Sequence, residues 1–90
     1  MGDFMIFVDL EPMGLQKSFY GKAKYSFYEK EYFLKSYDTI VCKMTLNRTL
    51  VRLWDGYSDT TLRHVNAFCR KCGLPKISKK DWMNMPVERM

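Results

Sequence analysis

The segment from Tyr57 to Gly73 carries the start and stop signals of one complete helix, and the rest of the chain has to give that helix a surface to cover. Ser58 or Thr60 offers a hydroxyl oxygen to the free N–H groups of a first turn. Asp59 suits the positive end of the helix dipole, and Arg70 and Lys71 suit the negative end. Gly73 fits the left-handed position that follows a last turn, and Pro75 prevents continuation. At about 100° per residue, Leu62, Val65, Phe68, Cys69 and Cys72 fall within an arc of about 120°. So wide an apolar stripe is not stable in water alone.

The preceding residues supply the surface. Residues 18–28 alternate, with Phe19, Gly21, Ala23, Tyr25 and Phe27 on one side and Tyr20, Lys22, Lys24, Ser26 and Tyr28 on the other. Period-two alternation rich in aromatics predicts a half-buried strand. A polar turn at 29–31 leads to a second strand over 32–37. A third is expected over 39–46, with Ile40, Cys42, Met44 and Leu46 on one face and Val41, Lys43 and Thr45 on the other. Asn47-Arg48 turns the chain into a fourth over 49–54. Connections this short favour an antiparallel meander. Ser78-Lys79-Lys80-Asp81 then starts a short second helix, with Ile77 stapled onto Trp82, and Pro86 closes it. The expected fold class is α+β: an antiparallel sheet of three to four strands covered by one amphipathic helix, with a short C-terminal helix.

Charge divides the chain. All fifteen Lys and Arg lie beyond residue 16, whereas the first sixteen residues hold Asp3, Asp9 and Glu11. Glu11-Pro12-Met13-Gly14 punctuates the boundary. The division is an acidic segment over 1–16, read as a short strand at 4–10 or a tail, followed by a single domain over 17–90. The net charge of +5 is compatible with a polyanionic partner and equally with ordinary solubility. The N-terminus has no basic leader, and the apolar run at 4–8 is too short to cross a bilayer. Three cysteines make an awkward disulfide framework, so a reduced, cytoplasmic protein is expected.

Cys42, His64, Cys69 and Cys72 would suffice for a tetrahedral zinc site. The helical projection argues against one. Cys69 and Cys72 belong to the apolar stripe, while His64 lies about 140° from Cys69 around the helix. The Cys-x-x-Cys pair also sits in the last turns, where the dipole disfavours a thiolate. Buried structural thiols are expected instead, with no metal and no cofactor. No Gly-rich phosphate loop, His-Glu-x-x-His pair or nucleophile context accompanies His64, so catalytic residues are not expected and the chain reads as a non-enzyme. His64 reads as a hydrogen-bonded residue at the border of the stripe.

Two surfaces remain as candidate binding sites. On the helix, Arg63 and Arg70 are about 20° apart in projection with Asn66 near them, forming a polar stripe. On the first strand, Tyr20, Lys22, Lys24 and Tyr28 share a face, with Lys35 or Lys43 joining across strands according to register. Cations interleaved with tyrosine can clamp phosphates and stack on bases. An ordinary solvated sheet face accounts for the same pattern.

Three segments, Ser18-Phe19-Tyr20-Gly21-Lys22-Ala23, Leu34-Lys35-Ser36-Tyr37-Asp38-Thr39-Ile40-Val41 and residues 57–68, together resemble a family of small uncharacterised proteins of bacteriophages and prophage-like elements. The resemblance spans about residues 18–73 and does not include the thiol pair. It implies a phage or mobile-element accessory protein acting in a bacterial host cell. The function expected is non-enzymatic binding, such as anti-defence inhibition of the anti-CRISPR kind, by occluding a protein or ribonucleoprotein partner. A small basic DNA- or RNA-binding module is the alternative.

Overall fold

The hairpin turns explain the meander. Tyr28 and Glu31 are joined by Glu29 and Lys30, both with positive φ (51° and 68°), the backbone of a two-residue turn that follows the natural twist of paired strands. The computed structural model describes residues 6–10, 19 and 21–88. Among them lie β1 (Val8–Asp9), β2 (Ala23–Tyr28), β3 (Glu31–Ser36), β4 (Thr39–Met44), β5 (Leu50–Arg52), α1 (Asp59–Lys71) and α2 (Lys79–Asn84). The strands form one antiparallel sheet in the order β1-β2-β3-β4-β5. The α+β class is therefore as the sequence indicates. The sheet gains a fifth strand because Val8 and Asp9 pair with Tyr25 and Lys24.

Two departures from simple alternation matter for the surface. The strand expected from residue 18 is β2 and begins at Ala23. Gly21 takes a left-handed φ of 75°, and the Lys22 amide closes a turn onto the Phe19 carbonyl at 2.9 Å. In β4 the register slips: Leu34 faces Cys42 but Lys35 faces Ile40, leaving Val41 as an extra residue. The bulge lets Val41 and Cys42, adjacent in sequence, both be buried in the core instead of pointing to opposite faces.

α1 forms as its sequence signals indicate. Ser58 Oγ accepts the Thr61 amide at 3.0 Å, and Gly73, at φ 76°, follows the capping residue Cys72. Val65, Phe68 and Cys69 share one hydrophobic core with Leu34, Cys42 and Met44 of the sheet. Yet α1 is more than a lid with one wet side. Thr61, His64, Asn66 and Ala67 are buried as well: Ser36 of β3 meets Thr61 and His64, Phe19 meets His64, and the chain after Gly73 folds back to bond Asn66. At its far end, Trp82 of α2 is fully enclosed and donates its indole N–H to the Gly56 carbonyl at 3.0 Å.

Arg52 ties this return to the sheet. It is only 4% exposed, forms no ion pair among the described residues, and donates to the carbonyls of Trp54, Gly56, Trp82 and Met85 at 2.8–3.3 Å. Its guanidinium also lies 4.9 Å from the centre of the Trp82 ring. Five N–H donors in a planar fork can serve several carbonyls at once, which an ammonium cannot do in the same geometry. Beside it, Val87 bridges Arg52 and the Glu88 amide bonds its carbonyl at 2.8 Å, so the edge of β5 is partly covered.

Candidate functional site

The residues that sequence alone marked as one basic, aromatic face are dispersed by the fold. Tyr20 lies outside the described residues. Lys24 and Tyr28 stay together on the face of the sheet turned away from α1, and Lys35 and Lys43 join them there. Lys22 does not. The turn at Gly21 swings it towards α1, where its ammonium lies 5.8 Å from the centre of the Tyr37 ring, itself 5.8 Å from His64.

The outer sheet face is also less basic than its lysines imply. Lys24 is 4.0 Å from Asp9, Lys43 is 3.0 Å from Glu31, and Lys35 rests over the Phe7 ring. Lys24 and Lys35 are directly opposite in register, a repulsive placement that Asp9 relieves. Phe33 and Ser26 on this side are buried.

On α1, Arg63 and Arg70 are exposed as expected, but Asn66 is a correction. It is 8% exposed and forms a closed pair of hydrogen bonds with the backbone of residue 77: its Nδ2 donates to the Ile77 carbonyl at 3.1 Å and its Oδ1 accepts the Ile77 amide at 2.7 Å. A side-chain amide can satisfy a strand-like backbone edge in this way, so Asn66 fastens the returning segment to the helix. The stripe left open on α1 is narrow, with Asp59, Arg63 and Arg70 on it. Lys76, which no pattern in the sequence singled out, is brought beside them by this fastening.

Inside the same helix lies a polar network. Ser36 Oγ is 2.8 Å from His64 Nδ1 and 3.0 Å from Thr61 Oγ1. Phe19 meets the imidazole edge-on at 4.6 Å between ring centres. His64, expected at the border of the stripe, is 1% exposed. Burial, then the positive charges of Arg63 and Lys22, lower its pKa to about 4, so the ring is neutral at pH 7. A serine beside a histidine has the composition of a nucleophile and base. Here Ser36 and His64 are both shut from solvent, so the pair fixes β3 to α1.

The thiols follow the same logic. Cys42 and Cys69 are buried, and burial raises both pKa values, Cys69 to about 11. Cys72, at the end of the helix, is half-buried. Among the described residues, no three metal-capable side chains converge.

A last surface was not foreseen. α1 covers only part of its face of the sheet. Beyond the helix end, Phe27 is 59% exposed although alternation assigned it to the core, and Val8 and Ile6 are 47% and 77% exposed nearby. The Phe27 ring meets that of Tyr32 at a tilt of 50° with 4.7 Å between centres, while Lys71 caps the Tyr25 ring at 4.6 Å. Alternation could assign Phe27 to a face but could not say where the covering helix stops.

The chain belongs to a family of unknown function (DUF8033), whose model matches residues 8–84. No curated protein and no solved structure matches it. The matched span takes in β1 through α2, including the C-terminal return that Arg52 and Asn66 hold in place.

Proposed function

We propose that this family member is a non-enzymatic accessory protein of phage or mobile-element type, which docks on a protein or ribonucleoprotein of the bacterial host cytoplasm and occludes it, as an anti-defence inhibitor would. The carrying observation is the apolar surface at the open end of the sheet, where Phe27, Val8 and Ile6 are exposed in front of Tyr25 and Tyr32. An aromatic with more than half its surface in water, backed by further apolar side chains, is what interface cores are made of. Arg48 and Lys71 stand at its border, a polar rim. Burial of Ser36 and His64 supports the non-enzymatic part of the reading. The phage assignment rests on the resemblance of the three segments.

The test is affinity capture from host lysate with the wild-type chain and with Phe27→Glu, at matched expression and fold. The expected result is a stoichiometric partner retained by the first and lost by the second. A partner held equally by both, or none recovered by either, refutes the docking surface.

One observation favours nucleic-acid binding: Arg63 and Arg70 remain exposed without an ion pair among the described residues. Against it, Lys24 is paired and lies on the other side of the sheet from them. A duplex competitor titration decides: neutralising several phosphates predicts affinity falling steeply with salt. Absence of micromolar binding at low salt eliminates this reading.

A further inference from the structure

Between α1 and the segment that Asn66 fastens to it run two adjoining clefts of about 310 and 270 Å³, which share Asn66 and Lys76. Leu62 and Leu74 provide aliphatic surface within them, and Arg63, Arg70 and Lys76 stand along their length. Among the described residues none of these three cations is in an ion pair. Among the described residues the lining holds a single acid, Asp59, which accepts the Tyr57 hydroxyl, so three cations stand against one carboxylate. The groove is thus a strip of net positive charge over an aliphatic floor, and it owes nothing to the Phe27 surface.

We infer that this groove binds an extended acidic peptide segment of a protein partner, with two carboxylates on one side about 10 Å apart and an aliphatic side chain between them. The spacing follows from the helix: seven residues from Arg63 to Arg70 span about 10.5 Å along the axis. A polyproline II segment rises about 3.1 Å per residue with three residues per turn, so carboxylates at positions i and i+3 fall on one side about 9 Å apart. Flexible arginine stems accommodate the difference. The floor chooses peptide over nucleic acid. Bases need an open aromatic face on which to stack, and among the described residues the one aromatic lining the clefts, Phe19, is 5% exposed and engaged with His64.

The probe is the blocked tetrapeptide Glu-Pro-Leu-Glu, titrated into the ¹⁵N-labelled full chain at low ionic strength, with Gln-Pro-Leu-Gln as its neutral control. Saturable shifts of the Arg63, Ala67, Arg70 and Lys76 amides are expected, with the neutral peptide binding about tenfold more weakly. Arg63→Glu/Arg70→Glu should abolish the shifts, and Lys76→Glu should weaken them, in spectra that otherwise stay native because all three side chains are exposed. Phe27→Glu should leave them unchanged, which separates this groove from the docking surface above. Equal binding of both peptides, no localised shifts at about 10 mM, or tighter binding of a ten-residue oligothymidylate by the same amides overturns the inference.

Discussion

Lowering the pH isolates the buried histidine. His64 is the only histidine in the chain, so its titration is unambiguous. The folded protein holds it neutral down to about pH 4, because its burial between β3 and α1 gives the imidazolium little solvent and Arg63 and Lys22 repel it. The unfolded chain takes up the proton near pH 6.5. Between those values the unfolded state binds more protons, so stability falls as pH falls. The stability tied to neutral His64 is fully present above about pH 6.5 and is lost progressively towards pH 4, after which both states are protonated. Two and a half pH units at 1.36 kcal/mol each give a limit of about 3 kcal/mol, and from pH 7.5 to 4.5 the loss is about 2.5 kcal/mol. That is a large part of the stability of so short a domain, about 5–10 kcal/mol. Urea denaturation of the wild type and His64→Gln at both pH values isolates the effect, since carboxylate titration is common to both. With a slope of about 1 kcal/mol per molar urea, the wild-type midpoint should fall about 2.5 M further than that of the variant. An imidazole that titrates near 6.5 in the folded state by NMR, or an equal pH dependence of the two proteins, refutes the reasoning.

Other consequences follow from single side chains. Arg52→Met keeps the stem but removes the donors to four carbonyls, leaving those of Trp54 and Met85 without their guanidinium partner while Gly56 and Trp82 keep a second donor, and should lower unfolding free energy by about 2–3 kcal/mol; a urea midpoint within about 0.5 M of wild type would mean those carbonyls are solvated instead. Asn66→Ala removes both bonds to Ile77, at about 1–3 kcal/mol, and hydrogen exchange should accelerate at the Ile77 amide while β3 amides stay protected. An aromatic disulfide reagent should modify Cys72 first and reach Cys42 and Cys69 only on unfolding; simultaneous reaction of all three in the native protein would contradict their burial.

Much of the local structure was legible because its causes are local. The hydroxyl of Ser58 caps α1 and that of Ser78 caps α2 whatever lies around them. The alternation of β2 and the apolar arc of α1 follow from backbone periodicity. The site was less legible. Lys22 was assigned to the face of Lys24 by counting residues, but the turn at Gly21 broke the count. Val41 was assigned outward, and one bulge turned it in. The arginines of α1 could be placed on one stripe, but whether a second wall faced them depended on where the chain goes after Pro75.

The sequence by itself determined which segments become strands and helices and which side of α1 meets the sheet, since these depend on residues within a few positions of one another. Only the tertiary structure decided what is buried on the other sides. Asn66 became a fastening and not a contact residue, Arg52 became a core cation satisfied by carbonyls, and Ser36 and His64 became a closed network. The same folding left Phe27 in water and set Lys76 beside Arg63 and Arg70. The physical reason is that burial belongs to pairs of elements distant in the chain. A polar side chain becomes structural or free according to whether a remote segment covers it, and its own neighbours in sequence do not carry that information.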